Sequence, residues 1–417
     1  MNIYFSGIGG VGIGPLAEIA RDAGYEILGS DLYPGLMTEQ LEHSGAQVHI
    51  GPQDGEFLRT SHHAKSIDWF IYTAALPDNH PELVLARELG IRTGKRDDLL
   101  AHIITEKQLK LIAISGSHGK TTTTGMMIWA LQQLGITVSY SIGTTISFGP
   151  SGLFEPTSEY FVYECDEFDK NFLRYQPYLS LITSIEHDHF DTFPTEDDYF
   201  TSFRQFAEQS SHVIAWQQEQ GQIFDGLAHA TLLGIDEVNN ELHLPGAHNR
   251  RNATLVQAGL HQLGLTESSD SILNNFPGTD RRFEKLAENL YSDYGHNPAE
   301  IAATLQLASE LNHQVVLVYQ PHQNIRQHEI KDQYTNQFEA AETVYWLPTY
   351  LSREDPSLTI LPPEELIQTL TNKDRVIIAD FDDALWAAIE QARADGKLVI
   401  CMGAGAIDGW VRDRLKA

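Results

Sequence analysis

Two cysteines, Cys165 and Cys401, are all that 417 residues carry. They lie far apart and form no metal-ligand spacing, which excludes a disulfide scaffold or cysteine-held metal centre and points to a reducing compartment. No apolar run reaches the ~18–20 residues needed to cross a bilayer. The opening MNIYFSGIGG lacks a basic segment followed by a long apolar one, so no signal peptide is expected and the default location is cytoplasmic. Basic residues are also scarce, 28 Lys and Arg against 57 Asp and Glu, for a formal charge of −29. That excludes a general nucleic-acid binder, which needs a basic face, and docking on anionic lipid. Anionic small ligands stay open, because a few cations and a divalent metal can set the local field. Internal repeats, coiled coils and low-complexity tracts are absent from the sequence as well.

What is present begins with 111–124, LIAISGSHGKTTTT. The apolar run predicts a buried strand, the glycines a tight turn, and the following GMMIWALQQL a helix. Strand, glycine turn and helix with Lys-Thr at the bend suit a nucleoside triphosphate. Glycines let backbone N–H groups close around phosphate oxygens, and the helix N-terminus adds its partial positive charge. Lys120 is expected to neutralise the outer phosphates and the Thr121 hydroxyl to ligate Mg²⁺. The competing reading is an ordinary glycine-rich βα turn, because Ile114 stands where the usual G-x-x-x-x-G-K-T spacing puts its first glycine. The candidate loop is Gly116, Ser117, His118, Gly119, Lys120, Thr121 and Thr122.

The length exceeds what one hydrophobic core fills, so about two to four domains are expected. Strands expected at 2–6, 25–29 and 69–73 alternate with helices at 11–23 and 81–89, a parallel α/β pattern. A second alternating region starts at Leu109 and a third near Ser271. The turn Gly7-Ile8-Gly9-Gly10-Val11-Gly12 fits G-x-G-x-x-G, and Asp31 follows about 20 residues on, where a ribose-binding acid belongs in a dinucleotide fold. On its own this suggests an NAD-linked oxidoreductase. However, the second glycine loop arrives near residue 116, leaving the first domain too short for both halves of such a fold. A single half suits a diphosphate-bearing substrate better, against the bland alternative of tight helix–strand packing.

Downstream of the phosphate loop, 163–169 places four carboxylates in six residues at a strand end. Open α/β sheets bind ligands at that edge, and hard Mg²⁺ prefers oxygen ligands. Glu164, nearest the strand, is the best single candidate, against a solvated acidic loop. At the next strand end, 183–191 sets two histidines among three acids, and His189 suits a second metal or a phosphate. In 248–252, HNRRN, Asn249 and Asn252 share a helix face at i, i+3. Side-chain amides can read a base edge, with N-capping as the competing explanation.

Together these motifs resemble the Mur ligase family, the ATP-dependent amide-bond-forming enzymes of peptidoglycan synthesis. The likeness spans nearly the whole chain in motif order. GSHGKTTTT resembles the family loop GTHGKTTT, YECDEFDKNFL resembles EADESDGSFL, and SIEHDHFDTF resembles N-I-E-x-D-H-x-D. HNRRNATL matches H-N-x-x-N-A, GTDRRFEKL resembles G-x-x-R-R-F, and DYGHNPAEIAATL is close to DYGHHPTEI-x-A-T-L. The resemblance implies an α/β fold of three domains. These are a Rossmann-like UDP-sugar domain over 1–107, a central phosphate-loop ATPase domain over 108–270 and a Rossmann-like amino-acid domain over 271–417. It implies the substrates ATP, UDP-N-acetylmuramate and L-alanine or a short peptide, with Mg²⁺ or Mn²⁺ as cofactor.

Carried over by motif, the resemblance gives Lys120 and Thr121 to phosphate and metal, and Glu164 and His189 to metal or phosphate. His248, Asn249 and Asn252 go to adenine, Arg282 to the terminal phosphate, and Asp293 to the ribose. Gly9, Gly10, Val11, Gly12, Asp31, Thr73, Ala74, Ala75 and His118 fall to the UDP-sugar, and Tyr294, His296 and Arg326 to the incoming amino acid. His189 or His296 is the expected base. Some positions depart from the branch that ligates L-alanine: Thr144-Thr145 replaces Gly-Gly, Ser184 replaces Asn, and Gln323-Asn324 stands where that branch begins with Arg. The last change, with EFD at 167–169, leans towards the branch that recycles a tripeptide.

Overall fold

The computed structural model describes residues 1–417 apart from Ala74, Phe190, Asp191, Glu219, Gln220, Thr266, Glu267, Ser268, Arg353 and Ala417. The chain divides into two compact units, Met1–Glu237 with Leu255–Leu273, and Val238–Thr254 with Asn274–Ala417.

The first unit holds two sheets. One is parallel, with β1 (Asn2–Ser6), β2 (Glu26–Asp31), β3 (Gln47–Ile50), β4 (Trp69–Tyr72) and β5 (Arg92–Lys95) in the order β3-β2-β1-β4-β5. Its helices are α1 (Gly14–Asp22), α2 (Leu36–His43), α3 (Glu56–Ala64), α4 (Pro81–Glu88) and α5 (Arg96–Glu106). Every residue of β1 is buried, as expected of a central parallel strand covered on both faces. Ile3 and Phe5 join the core beneath α1 and α5, while Tyr4 packs with Leu58, Phe70 and Leu83 on the opposite face.

The second sheet contains β6 (Lys110–Ser115), β7 (Val138–Ser141), β8 (Gly152–Leu153), β9 (Tyr160–Glu164), β10 (Leu179–Ile182), β11 (His212–Trp216) and β12 (Ala230–Leu233). Its order is β12-β11-β10-β6-β9-β7-β8, and only β8 runs antiparallel. It carries α6 (Lys120–Gln133) and α7 (Glu196–Gln209). The expected boundary at 107/108 separates these two sheets, yet one apolar core runs across it, from Phe5 through Leu100 and Ile103 of α5 to Phe161 and Phe172. Next come α8 (Ala247–Gln262), which starts in the second unit and ends in the first, and α9 (Asp270–Asn274).

The second unit is built on β13 (Glu284–Ala287), β14 (Leu290–Asp293), β15 (Val315–Tyr319), β16 (Thr343–Trp346), β17 (Val376–Ile378) and β18 (Leu398–Met402). They are ordered β13-β14-β18-β15-β16-β17, with an antiparallel pair only at β13-β14. The helices are α10 (Pro298–Leu311), α11 (Asn324–Ile330), α12 (Pro363–Leu366), α13 (Asp383–Ala394) and α14 (Ile407–Lys416). Pro298 opens α10, and Glu300 accepts from the His296 and Asn297 N–H groups, which fixes where the helix begins. Among the described residues no helix is long and apolar enough to cross a membrane.

Candidate active site

Strand β6 delivers the phosphate loop to the C-terminal edge of the second sheet. Gly116 has φ +130°, and a Cβ there would lie 2.4 Å from the Thr183 hydroxyl and 2.6 Å from the Ser184 carbonyl oxygen, so only glycine fits. Gly119, at φ +84°, caps α6. The loop is pinned to the chain after β10. Ser117 N–H donates to the Ser184 carbonyl at 3.0 Å, and His118 N–H donates to the Ser184 hydroxyl at 2.9 Å. Ser184, the residue that departs from the family pattern, thus takes both loop amides. The missing glycine at Ile114 is explained by its place inside β6, fully buried and paired with Leu181 and Glu164.

The acids sort into two groups. Thr121 donates to Glu164 at 2.6 Å, and the other Glu164 oxygen accepts from Gly143 N–H at 2.8 Å, just before Thr144-Thr145. Lys120 Nζ donates to the Gly116 carbonyl at 2.6 Å and to Glu167 at 3.0 and 3.2 Å. Asp166, Glu167 and His189 bring one ligand atom each to within 4.8 Å of one another, and His189 Nε2 lies 3.7 Å from Glu167. Thr121 and Glu164 are therefore brought together as expected, while His189 sits with the other acid pair. Burial pulls the Lys120 ammonium down, but Glu167, Asp166 and Glu164 more than offset it, and its pKa is raised. For Glu167, fully buried, desolvation outweighs Lys120 and raises the carboxyl. For Asp166, Lys120 and His189 overcome burial and lower it. Sequence reasoning chose Glu164 and passed over Glu167. The acid density at 163–169 marks the segment, but not that Glu167, at the head of a turn in which Asp169 and Lys170 both have φ +54°, is the acid that meets Lys120.

At the first sheet the glycine turn follows β1, and α1 starts at Gly14 rather than Val11, which is 99 % exposed. Asp31 Oδ2 accepts from Gly9 N–H at 2.8 Å, and its Oδ1 accepts from Tyr33 N–H at 3.4 Å, so the acid shapes the turn it was expected to serve. Thr73 accepts a turn hydrogen bond from Leu76 and Ala75 is exposed, while Ala74 lies outside the described residues. His118 Nε2 is 3.3 Å from Glu186.

The second unit gathers the remaining candidates. His248, Asn249 and Asn252 stand on the first turns of α8. Asn249 donates to the Pro245 carbonyl at 2.9 Å, and Asn252 is buried. Burial brings the His248 imidazole down to about 4, against the pull of Glu310. Asp293 is buried and accepts from Phe283 N–H and Gly295 N–H, both at 2.8 Å. Burial raises its carboxyl although Arg282 opposes. Arg282 lies over the Tyr294 ring at 5.2 Å and 3.9 Å from Glu300. His296 and His322 meet edge to face at 5.5 Å, and His322 stacks on Tyr350. Burial lowers both imidazoles, His322 to about 4. Arg326 donates to Asn297 at 2.9 Å. Gln323 has φ +59°, whereas Asn324 is buried and fully used, donating to Glu354 and Thr359 and accepting from Leu361. α11 was not anticipated, nor were α2, α3, β3 and β5. Each is short, and α2 and α3 bury only one or two side chains.

Comparison with known proteins adds a finding at each sheet. Three family models match: the Mur ligase family, catalytic domain, over residues 2–108; the Mur ligase middle domain over 114–232; and the Mur ligase, glutamate ligase domain over 281–405. A relative from Caldanaerobacter subterraneus subsp. tengcongensis, named UDP-N-acetylmuramate–L-alanine ligase, is 31% identical over 97% of this chain and 95% of its own. One of the same name from Nitrosospira multiformis is 31% identical over 98% and 92%. Among solved structures, the UDP-N-acetylmuramate-alanine ligase of Thermotoga maritima aligns with a TM-score of 0.74 at 22% identity, covering 100% of this chain and 98% of the other. A murein peptide ligase from Psychrobacter arcticus gives 0.64 at 22%, with the same coverage. These structural likenesses establish the three-domain α/β fold.

Proposed function

The chain belongs to the Mur ligase family, and on that premise we propose that it joins the lactyl carboxylate of UDP-N-acetylmuramate to the amine of L-alanine at the expense of ATP, in peptidoglycan precursor synthesis in the cytoplasm. The observation that carries this is the phosphate loop, with Lys120 and Thr121 each in contact with an acid of the 164–169 segment, in a chain whose alanine-ligase relatives match it from end to end. A redox role for Gly7–Gly12 is not favoured, because the same chain carries the middle and glutamate-ligase domains of the family. The tripeptide-recycling alternative is not favoured by the curated relatives, which carry the alanine-ligase name.

A carboxylate does not react with an amine at neutral pH, because its oxygen is a poor leaving group. Transfer of the γ-phosphoryl group makes an acyl phosphate, and catalysis is then mostly positioning and charge neutralisation. Gly116–Thr122 cradle the phosphates, and Lys120 leaves Glu167 to neutralise the transferring group. Arg282 adds a second cation. The oxygen donors Thr121 and Glu164, 2.6 Å apart, are the hard ligands that Mg²⁺ or Mn²⁺ prefers, and His189 with Asp166 and Glu167 forms a second donor set. A bound divalent ion supplies further neutralisation of phosphate charge. Asn249, Asn252 and His248 receive adenine, and Asp293 the ribose. Tyr294, His296 and Arg326 receive the amino acid. His296, which burial pushes towards its neutral form, or His189 accepts the amine proton. We divide the chain into lobes at 1–107, 108–270 and 271–417, one sheet to each.

The test is phosphate release with ATP and UDP-N-acetylmuramate, comparing L-alanine, glycine, L-serine and the L-Ala–D-Glu–diamino-acid tripeptide. L-Alanine is expected to be preferred. Turnover with the tripeptide alone, or with no acceptor at all, overturns the proposal.

A further inference from the structure

Tyr199 is a buried phenol that the ligation chemistry above does not use. It lies in the first turn of α7, where the N-cap Thr195 accepts from Asp198 N–H and three acids in a row suit a helix N-terminus. Tyr199, Ser202, Phe203, Phe206 and Ala207 recur at helical spacing and form the buried face. The ring is fixed by Phe193, edge to face at 5.0 Å, and by Phe203 at the same distance. A tyrosine enclosed in this way must find a partner for its hydroxyl.

The hydroxyl has two. It lies 2.8 Å from Ser117 Oγ, in the phosphate loop, and 3.2 Å from Glu167 Oε1, the carboxylate that meets Lys120. Ser117 Oγ is already engaged with the main chain, accepting from Glu186 N–H and donating to the Glu186 carbonyl, both at 2.7 Å. Its own hydrogen is therefore spent, and the hydrogen between the two hydroxyls is the phenol's. Burial, then Glu167, raise the Tyr199 pKa, so that hydrogen stays on the phenol oxygen. One hydrogen thus faces two acceptors. Lys120 already donates to both oxygens of Glu167, at 3.2 and 3.0 Å, which leaves the phenol to the nearer Ser117.

Departure of Lys120 reverses that balance. Glu167 is fully buried, and a buried carboxylate that loses its cation needs another donor. The phenol supplies one by rotation about its C–O bond alone, with its ring held in place. Ser117 stays where it is, because both Glu186 backbone groups still hold it.

We propose that Tyr199 is a positioning residue for nucleotide binding: its hydroxyl turns from Ser117 to Glu167 when Lys120 moves to the phosphates, and so eases release of the lysine. The assignment rests on the function proposed above, in which Lys120 leaves Glu167 for the transferring group. The phosphate-loop motif does not call for this residue, which arrives from a helix 82 positions beyond Ser117.

The test is calorimetric titration of ATP into the full chain and its variants, with KM for each substrate from phosphate release and melting temperature as the folding control. Tyr199→Phe keeps the ring and removes only the hydroxyl. It is expected to weaken ATP about tenfold, the scale of one hydrogen bond to a charged group, and to raise KM for ATP by the same factor. KM for UDP-N-acetylmuramate and for L-alanine is expected to stay in place. In a Glu167→Gln background no buried charge needs the phenol, and adding Tyr199→Phe is expected to change ATP affinity by less than about twofold. A tyrosine that only props up the fold weakens ATP equally in both backgrounds, and that result overturns the proposal. Equal ATP affinity in the wild type and Tyr199→Phe overturns it too. If Tyr199→Phe does not fold, Glu167→Gln and the double variant Glu167→Gln/Tyr199→Phe carry the comparison, and about a tenfold difference between them overturns it. Failure of the wild type to bind ATP overturns the function assigned to the phosphate loop as well.

Discussion

Acid should loosen the second unit through its buried histidines. His248 and His322 are both held near pKa 4 by burial, against about 6.5 in an unfolded chain. Glu310 pulls His248 up while Arg250 and Arg282 push it down. His296 and Arg326 push His322 down while Glu354 pulls it up. A histidine with a depressed folded pKa is stabilising above its unfolded pKa and loses that contribution as pH falls from about 6.5 to about 4, because the unfolded chain binds the proton first. Between pH 7 and pH 5 the loss is about 2 kcal/mol for His248, and smaller for the less buried His322, whose charge solvent partly screens. Glu310, lowered to about 2 first by its hydrogen bond from Arg250, loses its contribution only below about pH 4.5, outside this window. Hydrogen exchange followed by mass spectrometry on β15 and β18 reports opening of this core separately from the first unit. The double variant His248→Gln/His322→Gln should lose much of the pH dependence, with His296, also lowered by burial, carrying what is left. An opening free energy that is equal at pH 7 and pH 5 in the wild type, or a drop that persists unchanged in the double variant, refutes the reasoning.

Lys120→Ala should abolish ATP-dependent ligation and, because it leaves Glu167 buried without its cation, also lower the melting temperature; a phosphate-release assay at saturating substrates, run well below the transition of the variant, checks the loss. Lys170→Gly should stabilise by about 0.5 kcal/mol, the relief of a left-handed backbone less the glycine entropy and the contact of Lys170 with the Phe193 ring; urea denaturation measures it. Glu82→Ala should cost about 3 kcal/mol or more, because the buried carboxylate accepts from Tyr4, Ser6 and Ser30, whose hydroxyls would lose their acceptor; exchange at β1 and β4 reads it out. Glu164→Gln should raise the Mg²⁺ concentration needed for half-maximal ligation about tenfold or more, measured by titrating the metal at saturating ATP.

The apolar strand runs made the sheets legible. β1, β6, β9, β10, β15 and β18 are buried almost throughout, and a strand covered on both faces leaves an uninterrupted hydrophobic signature. The edge strand β3 and the thin helices α2 and α3 contribute few buried side chains and so leave little periodicity to read. Within the site, contacts between neighbours on one strand edge or loop were accessible, as with Thr121 and Glu164. Glu167 against Lys120 joins residues 47 apart, and Arg96 against Tyr163 depends on two sheets sharing one core. Distances between side chains 67 residues apart are not encoded in any local pattern.

Neighbouring residues 323 and 324 have opposite freedoms. Asn324 is sewn to the 354–361 segment by its backbone and by both ends of its amide, so replacing it would unpick the loop. Gln323 is held through its backbone alone among the described contacts, its N–H donating to Tyr350 and its carbonyl accepting from Gln327 N–H, and its positive φ is one that asparagine or glycine adopts with less strain. Substitutions at 323 are therefore expected to leave the loop standing where substitutions at 324 undo it.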